Sequence, residues 1–140
     1  MLKKTRRRAS VLVAAVATGM LVLGSAGAAF ASGYSQQRSH DASVTGLGLT
    51  GNGLYVSDLE VRHDEGWIMV NVCGSRATAW GTLHAGGSWS KTFGYEAGCI
   101  FHGVNKFTKP NVNFKAGTTV KGQMYHDGLL RAGIPQVGIS

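Results

Sequence analysis

Cysteine is scarce in this chain: Cys73 and Cys99 are the only two in 140 residues. Their spacing is far from the Cys-x-x-Cys of a redox pair, and with no second pair a four-thiolate metal centre is excluded. Helical periodicity is almost missing. The only window with a helical look, residues 129–132, is one turn long and ends at Gly133. No internal repeat is present, which excludes solenoids and propellers. No Gly-x-Ser-x-Gly elbow stands before a helix, because Gly86-Gly87-Ser88-Trp89 lacks that context.

What is present begins at the N-terminus. Lys3, Lys4, Arg6, Arg7 and Arg8 precede an uncharged, mostly apolar run over residues 11–27, followed by Ala29-Phe30-Ala31. A basic start, a short apolar stretch and small residues before a cut site make up a secretory leader. The apolar run is too short and too rich in Ala and Gly for a membrane anchor of about 20 residues. Residues 1–31 are therefore read as a signal peptide and the working protein as secreted. The paired arginines lack a strongly apolar residue after them, which favours general secretion over twin-arginine export.

Removing that leader changes the electrostatics. With five of the 14 basic residues gone and all seven acids kept, the net charge falls from +7 to +2. The remaining Lys and Arg are scattered singly, so no basic block is left to neutralise a phosphate backbone, and nucleic acid is rejected as a ligand. The 109 residues left suit one small domain. In an oxidising compartment Cys73 and Cys99 are expected to form a disulfide, worth roughly 3–4 kcal/mol as a restraint on the unfolded chain.

Along the mature chain, residues 32–52 read as a Gly-rich, mobile N-terminal arm, polar at first and then interrupted by Gly46, Gly48 and Gly51. Its apolar positions Val44, Leu47 and Leu49, with Tyr34 before them, are candidates for pairing with a partner's sheet edge. Residues 53–140 read as strands. Leu54-Tyr55-Val56 and Leu59-Glu60-Val61 alternate, with a phase shift at Ser57-Asp58 as at a bulge. A turn at His63-Asp64-Glu65-Gly66 leads to a continuous β-rich run over residues 67–73. Strands over 78–83, 89–93, 99–101, 112–114, 118–125 and 136–139 follow, with residues 105–110 as a polar connection. Seven or eight short strands predict an all-β, small antiparallel β-sandwich of immunoglobulin-like architecture, with one disulfide linking strands across the core.

The chemistry-bearing residues do not converge on a known pattern. His63, Asp64 and Glu65, and also His126 and Asp127, fall in expected turns, where such residues are solvated. No pair has the His-x-x-x-His spacing of a zinc site, so no metal and no cofactor are expected. The carboxylates of Asp58, Glu60, Asp64, Glu65, Glu96 and Asp127 offer no distinguishable facing pair for glycoside hydrolysis. The chain is read as a non-enzyme. Trp67, Trp80 and Trp89 lie in successive expected strands, and Trp80 and Trp89 are candidates for exposed aromatics that stack on sugar or anchor a protein.

The layout as a whole resembles a known family. The leader, the Gly-interrupted arm, Gly53-Leu54-Tyr55-Val56, the single cysteine pair and the Gly-rich β-domain are similar to the small linker subunits of secreted umbrella toxin particles of actinobacteria. That resemblance implies an adaptor whose arm, residues 34–49 here, enters the cleft of a lectin subunit while the domain grips a large toxin polypeptide. The expected function is accordingly a secreted, protein-binding linker of an extracellular complex. A carbohydrate or cell-wall binding module is the first alternative. A hydrolase inhibitor presenting Glu96-Ala97-Gly98-Cys99 as a pinned loop is the second.

Overall fold

The computed structural model describes residues 31–38, 43–65, 71–101, 103–131 and 133–140. The expected leader up to residue 30, residues 67–70 of the expected apolar strand, and His102 lie outside the described residues. Among the described residues every regular element is a strand: β1 (Gly33–Arg38), β2 (Val44–Asn52), β3 (Tyr55–Asp64), β4 (Asn71–Thr82), β5 (Ser88–Phe101), β6 (Gly103–Thr108), β7 (Val112–Asn113), β8 (Thr119–His126), β9 (Leu129–Leu130) and β10 (Gln136–Gly138). They form two antiparallel sheets. The first runs β1-β2-β3-β6, with β7 also pairing β3; the second runs β10-β8-β4-β5, with β9 on β8. The sheets pack face to face as the antiparallel sandwich that the alternation predicts, with β1 near β10 and β5 near β6 along its sides.

Local signals account for much of this. Ser57 is the extra residue where Thr50 pairs with Asp58 and Gly51 with Val56, so the phase shift in the sequence is a bulge. Asp127 and Gly128 both take positive φ (50° and 76°) and join His126 to Leu129 in a two-residue hairpin loop. The inward positions Leu47, Leu49, Leu59, Val61 and Val104 of the first sheet face Ala77, Ala79, Val120 and Met124 of the second, with Phe114 beside them. At Gly122 the sheets approach so closely that a Cβ would lie 2.9 Å from Val61 and 3.0 Å from Leu47.

Four expectations differ from this structure. The described part of the expected arm is not outside the domain: β1 and β2 belong to the first sheet, β2 is an interior strand between β1 and β3, and its Leu47 and Leu49 are buried in the core; residues 39–42 lie outside the described residues. The domain therefore includes β1 and β2 rather than starting at 53. The disulfide does not cross the core, because Cys73 and Cys99 face each other on adjacent strands β4 and β5 of one sheet. Residues 103–108 form β6, whose inward side chains are Val104, Lys106 and Thr108, so most of the expected polar connection is strand. Finally, His63 and Asp64 belong to β3, not to a turn.

Candidate functional site

The partner-binding residues proposed from the sequence divide between core and surface. Leu47 and Leu49 are buried, Val44 is half-buried, and only Tyr34 is exposed. A partner cannot reach Leu47 or Leu49 without opening the sandwich. Trp80 and Trp89 are both half-buried. Trp89 packs on the core, edge-on to Phe114 with ring centroids 5.6 Å apart. Glu96, Ala97, Gly98 and Cys99 are strand residues of β5, not a protruding loop. The Glu96 carboxylate accepts a 2.8 Å hydrogen bond from the inward-facing Lys106 ammonium.

The outer face of the first sheet carries a more organised surface. Register places Tyr34 opposite Gly48, Gly48 opposite Glu60, and Glu60 opposite Phe107, one row across four strands. Three strand spacings separate the end residues by about 14 Å. Tyr34 is 54% and Phe107 66% exposed, although such rings are ordinarily buried. The Tyr34 ring lies along β2 because two glycines leave room for it. A Cβ on Gly48 would touch the ring at 3.7 Å, and one on Gly46 would overlap the Tyr34 hydroxyl. Between the two aromatics is a cleft of about 280 Å³, lined also by Asp58 and Glu60. Asp58 is positioned by Ser57, whose hydroxyl donates to its carboxylate at 2.8 Å. Phe107 escapes the sequence reading because its segment looks like a polar connection; the alternation Val104, Lys106, Thr108 against Asn105 and Phe107 was the available signal.

A second cluster lies inside the sandwich. His63 projects inward from β3, beside its register partner Thr45 of β2, whose Oγ1 is 2.8 Å from His63 Nδ1. Glu65 follows β3, and His126 ends β8 of the opposite sheet. Glu65 Oε1 lies 3.0 Å from His126 Nδ1 and 3.5 Å from His63 Nε2. Arg131 Nε stands 3.2 Å from His126 Nδ1 and 3.7 Å from the same carboxylate oxygen. His63, Glu65 and His126 are all buried, which corrects the expectation of solvated turn residues. Burial, reinforced by the neighbouring His63 imidazole, lowers the His126 pKa to about 4, so this ring is neutral at pH 7. Its Nε2 is buried without a hydrogen-bond partner among the described residues. One donor atom from each of His63, Glu65 and His126 lies within 4.8 Å of the others, a grouping of nitrogen and oxygen donors of the kinds that can hold a metal ion. The three come from positions far apart in sequence and from both sheets, so no local spacing announces them.

No helix among the described residues is long and apolar enough to cross a membrane. The chain matches no family model, no curated protein and no solved structure.

Proposed function

We propose that this chain is a secreted, non-enzymatic binding module that acts as an adaptor in an extracellular protein complex, and that it holds its partner on the outer face of the first sheet. The observation that carries this reading is the row Tyr34–Gly48–Glu60–Phe107, in which two exposed aromatics flank a carboxylate. Exposed Tyr and Phe with a polar group between them form an anchor for a protein partner. The carboxylates of Asp58 and Glu60 suit an Arg or Lys side chain, which the aromatic walls also favour. The resemblance to linker subunits of umbrella toxin particles supports an adaptor role. It is retained here without an inserted arm, since Leu47 and Leu49 are core residues.

A sugar is the second reading, favoured by the same cleft: aromatic faces stack on pyranose rings and carboxylates accept their hydroxyls. The two separate experimentally. Tagged wild-type protein and a Tyr34→Ala/Phe107→Ala variant are incubated with the native culture medium, with insoluble cell wall and with a glycan array. A protein partner that co-purifies with wild type and is lost from the variant, at unchanged melting temperature, supports the adaptor. Retention on glycan or cell wall that the variant loses supports the sugar reading. Equal capture of every ligand by both proteins removes this face from consideration.

A further inference from the structure

We infer that His63 Nε2, Glu65 Oε1 and His126 Nδ1 form a binding site for one divalent transition-metal ion of the zinc class, bolting the first sheet to the second.

His126 Nδ1 stands between a hydrogen-bond acceptor and a hydrogen-bond donor and can serve only one of them at a time. This nitrogen is 3.0 Å from the Glu65 carboxylate, which can only accept a hydrogen bond, and 3.2 Å from Arg131 Nε, which can only donate one. If Nδ1 carries the proton, it serves Glu65 and opposes the Arg131 N–H. If Nδ1 is bare, it serves Arg131 and turns a lone pair toward the carboxylate. A metal ion placed between Nδ1 and Oε1 resolves the second arrangement, because both lone pairs then point at positive charge. In that state the His126 proton sits on Nε2, which has no hydrogen-bond partner among the described residues, and the Arg131 guanidinium, whose side chain is one-third exposed, swings toward solvent.

His63 is prepared in the same sense. Its Nδ1 faces the Thr45 hydroxyl at 2.8 Å; when Nδ1 donates to that oxygen, Nε2 is left bare toward Glu65. An outer hydrogen bond that selects the ligating tautomer is the usual support of a metal-bound histidine. Tetrahedral zinc with bonds of 2.0–2.2 Å holds its donors about 3.3 Å apart. The two separations from Glu65, 3.0 and 3.5 Å, bracket that value, while the three donors together lie within 4.8 Å, so the two imidazoles draw closer when the ion binds. Two imidazoles and a carboxylate are nitrogen and oxygen donors of the kind zinc takes, and they are too few for calcium.

The location supplies the purpose. His63 and Glu65 belong to the first sheet and its exit, and His126 to the second. The disulfide staples β4 to β5 within the second sheet only, so it does not cross-link the two layers. A metal at this site ties them.

The test uses the full exported chain, stripped with chelator and dialysed, then titrated with zinc by calorimetry and with cobalt(II) by visible absorption. One equivalent of zinc is expected to bind, the cobalt form to show tetrahedral ligand-field bands, and saturating zinc to raise the melting temperature by several degrees. His63→Asn, His126→Asn and Glu65→Gln each lower zinc affinity at least tenfold, and Thr45→Val lowers it about tenfold with all three ligands retained. Arg131→Gln tightens binding by removing the competing cation and leaves the ligands in place. No zinc uptake by the stripped wild type overturns the proposal. So does uptake at unchanged affinity in Arg131→Gln and Glu65→Gln, both of which keep the core histidines.

Discussion

His63 of the first sheet and His126 of the second meet edge to face inside the sandwich, with ring centroids 4.8 Å apart and planes at 86°. Two basic rings in contact within a core bring a pH dependence that apolar packing would not.

The metal-free protein is expected to lose stability in mild acid. The His126 pKa is about 4 when folded against 6.5 ordinarily, so between those values the unfolded chain binds the extra proton. Stability from this ring is fully present above pH 6.5 and is lost as pH falls toward 4, by about 3 kcal/mol in all. Urea unfolding in chelator from pH 7.5 to pH 4 measures it. A His126→Gln variant has a shallower slope across that window.

Gly122→Ala is expected to destabilise the fold by about 1–3 kcal/mol, because the new methyl enters the contact with Val61 and Leu47. Gly138→Ala meets nothing within 4 Å and serves as the control, with a shift within about 0.5 kcal/mol. Chemical denaturation of both variants decides it.

Replacing both cysteines by serine is expected to cost about 2–4 kcal/mol while preserving the fold. The β4–β5 register continues from Ala77–Phe93 to Thr82–Ser88 without the disulfide, so the sheet has other ties. Thermal melts with and without reductant, alongside the double variant, check this.

Deleting residues 32–52 is expected to abolish cooperative unfolding. The cut removes β1 and β2 together with Leu47 and Leu49, two buried core side chains each worth about 1.5–3 kcal/mol by area alone. A dissociable arm would leave the melting temperature unchanged; loss of dispersed amide resonances in an NMR spectrum shows that the strands are structural.

Strand content, the Ser57 bulge, the Asp127-Gly128 hairpin and the all-β class were legible in the sequence, because alternation and left-handed turn residues act over a few neighbouring positions. Even the cysteine pairing needed only counting. Tertiary structure decided what lies further apart. Gly46 and Gly48 look like signs of disorder in the linear chain, yet in the folded sheet they make room for Tyr34 and the second face of β2 is buried. Phe107 and Tyr34, 73 positions apart, became one surface only through the shared register of β1, β2, β3 and β6. His63, Glu65 and His126 read as hydrophilic turn residues until the two sheets closed over them. Local pattern determines which segments extend. Which of them pair, and which polar groups are thereby shut away from water, follows from contacts between segments that are distant in the chain, and those carry no signal at short spacing.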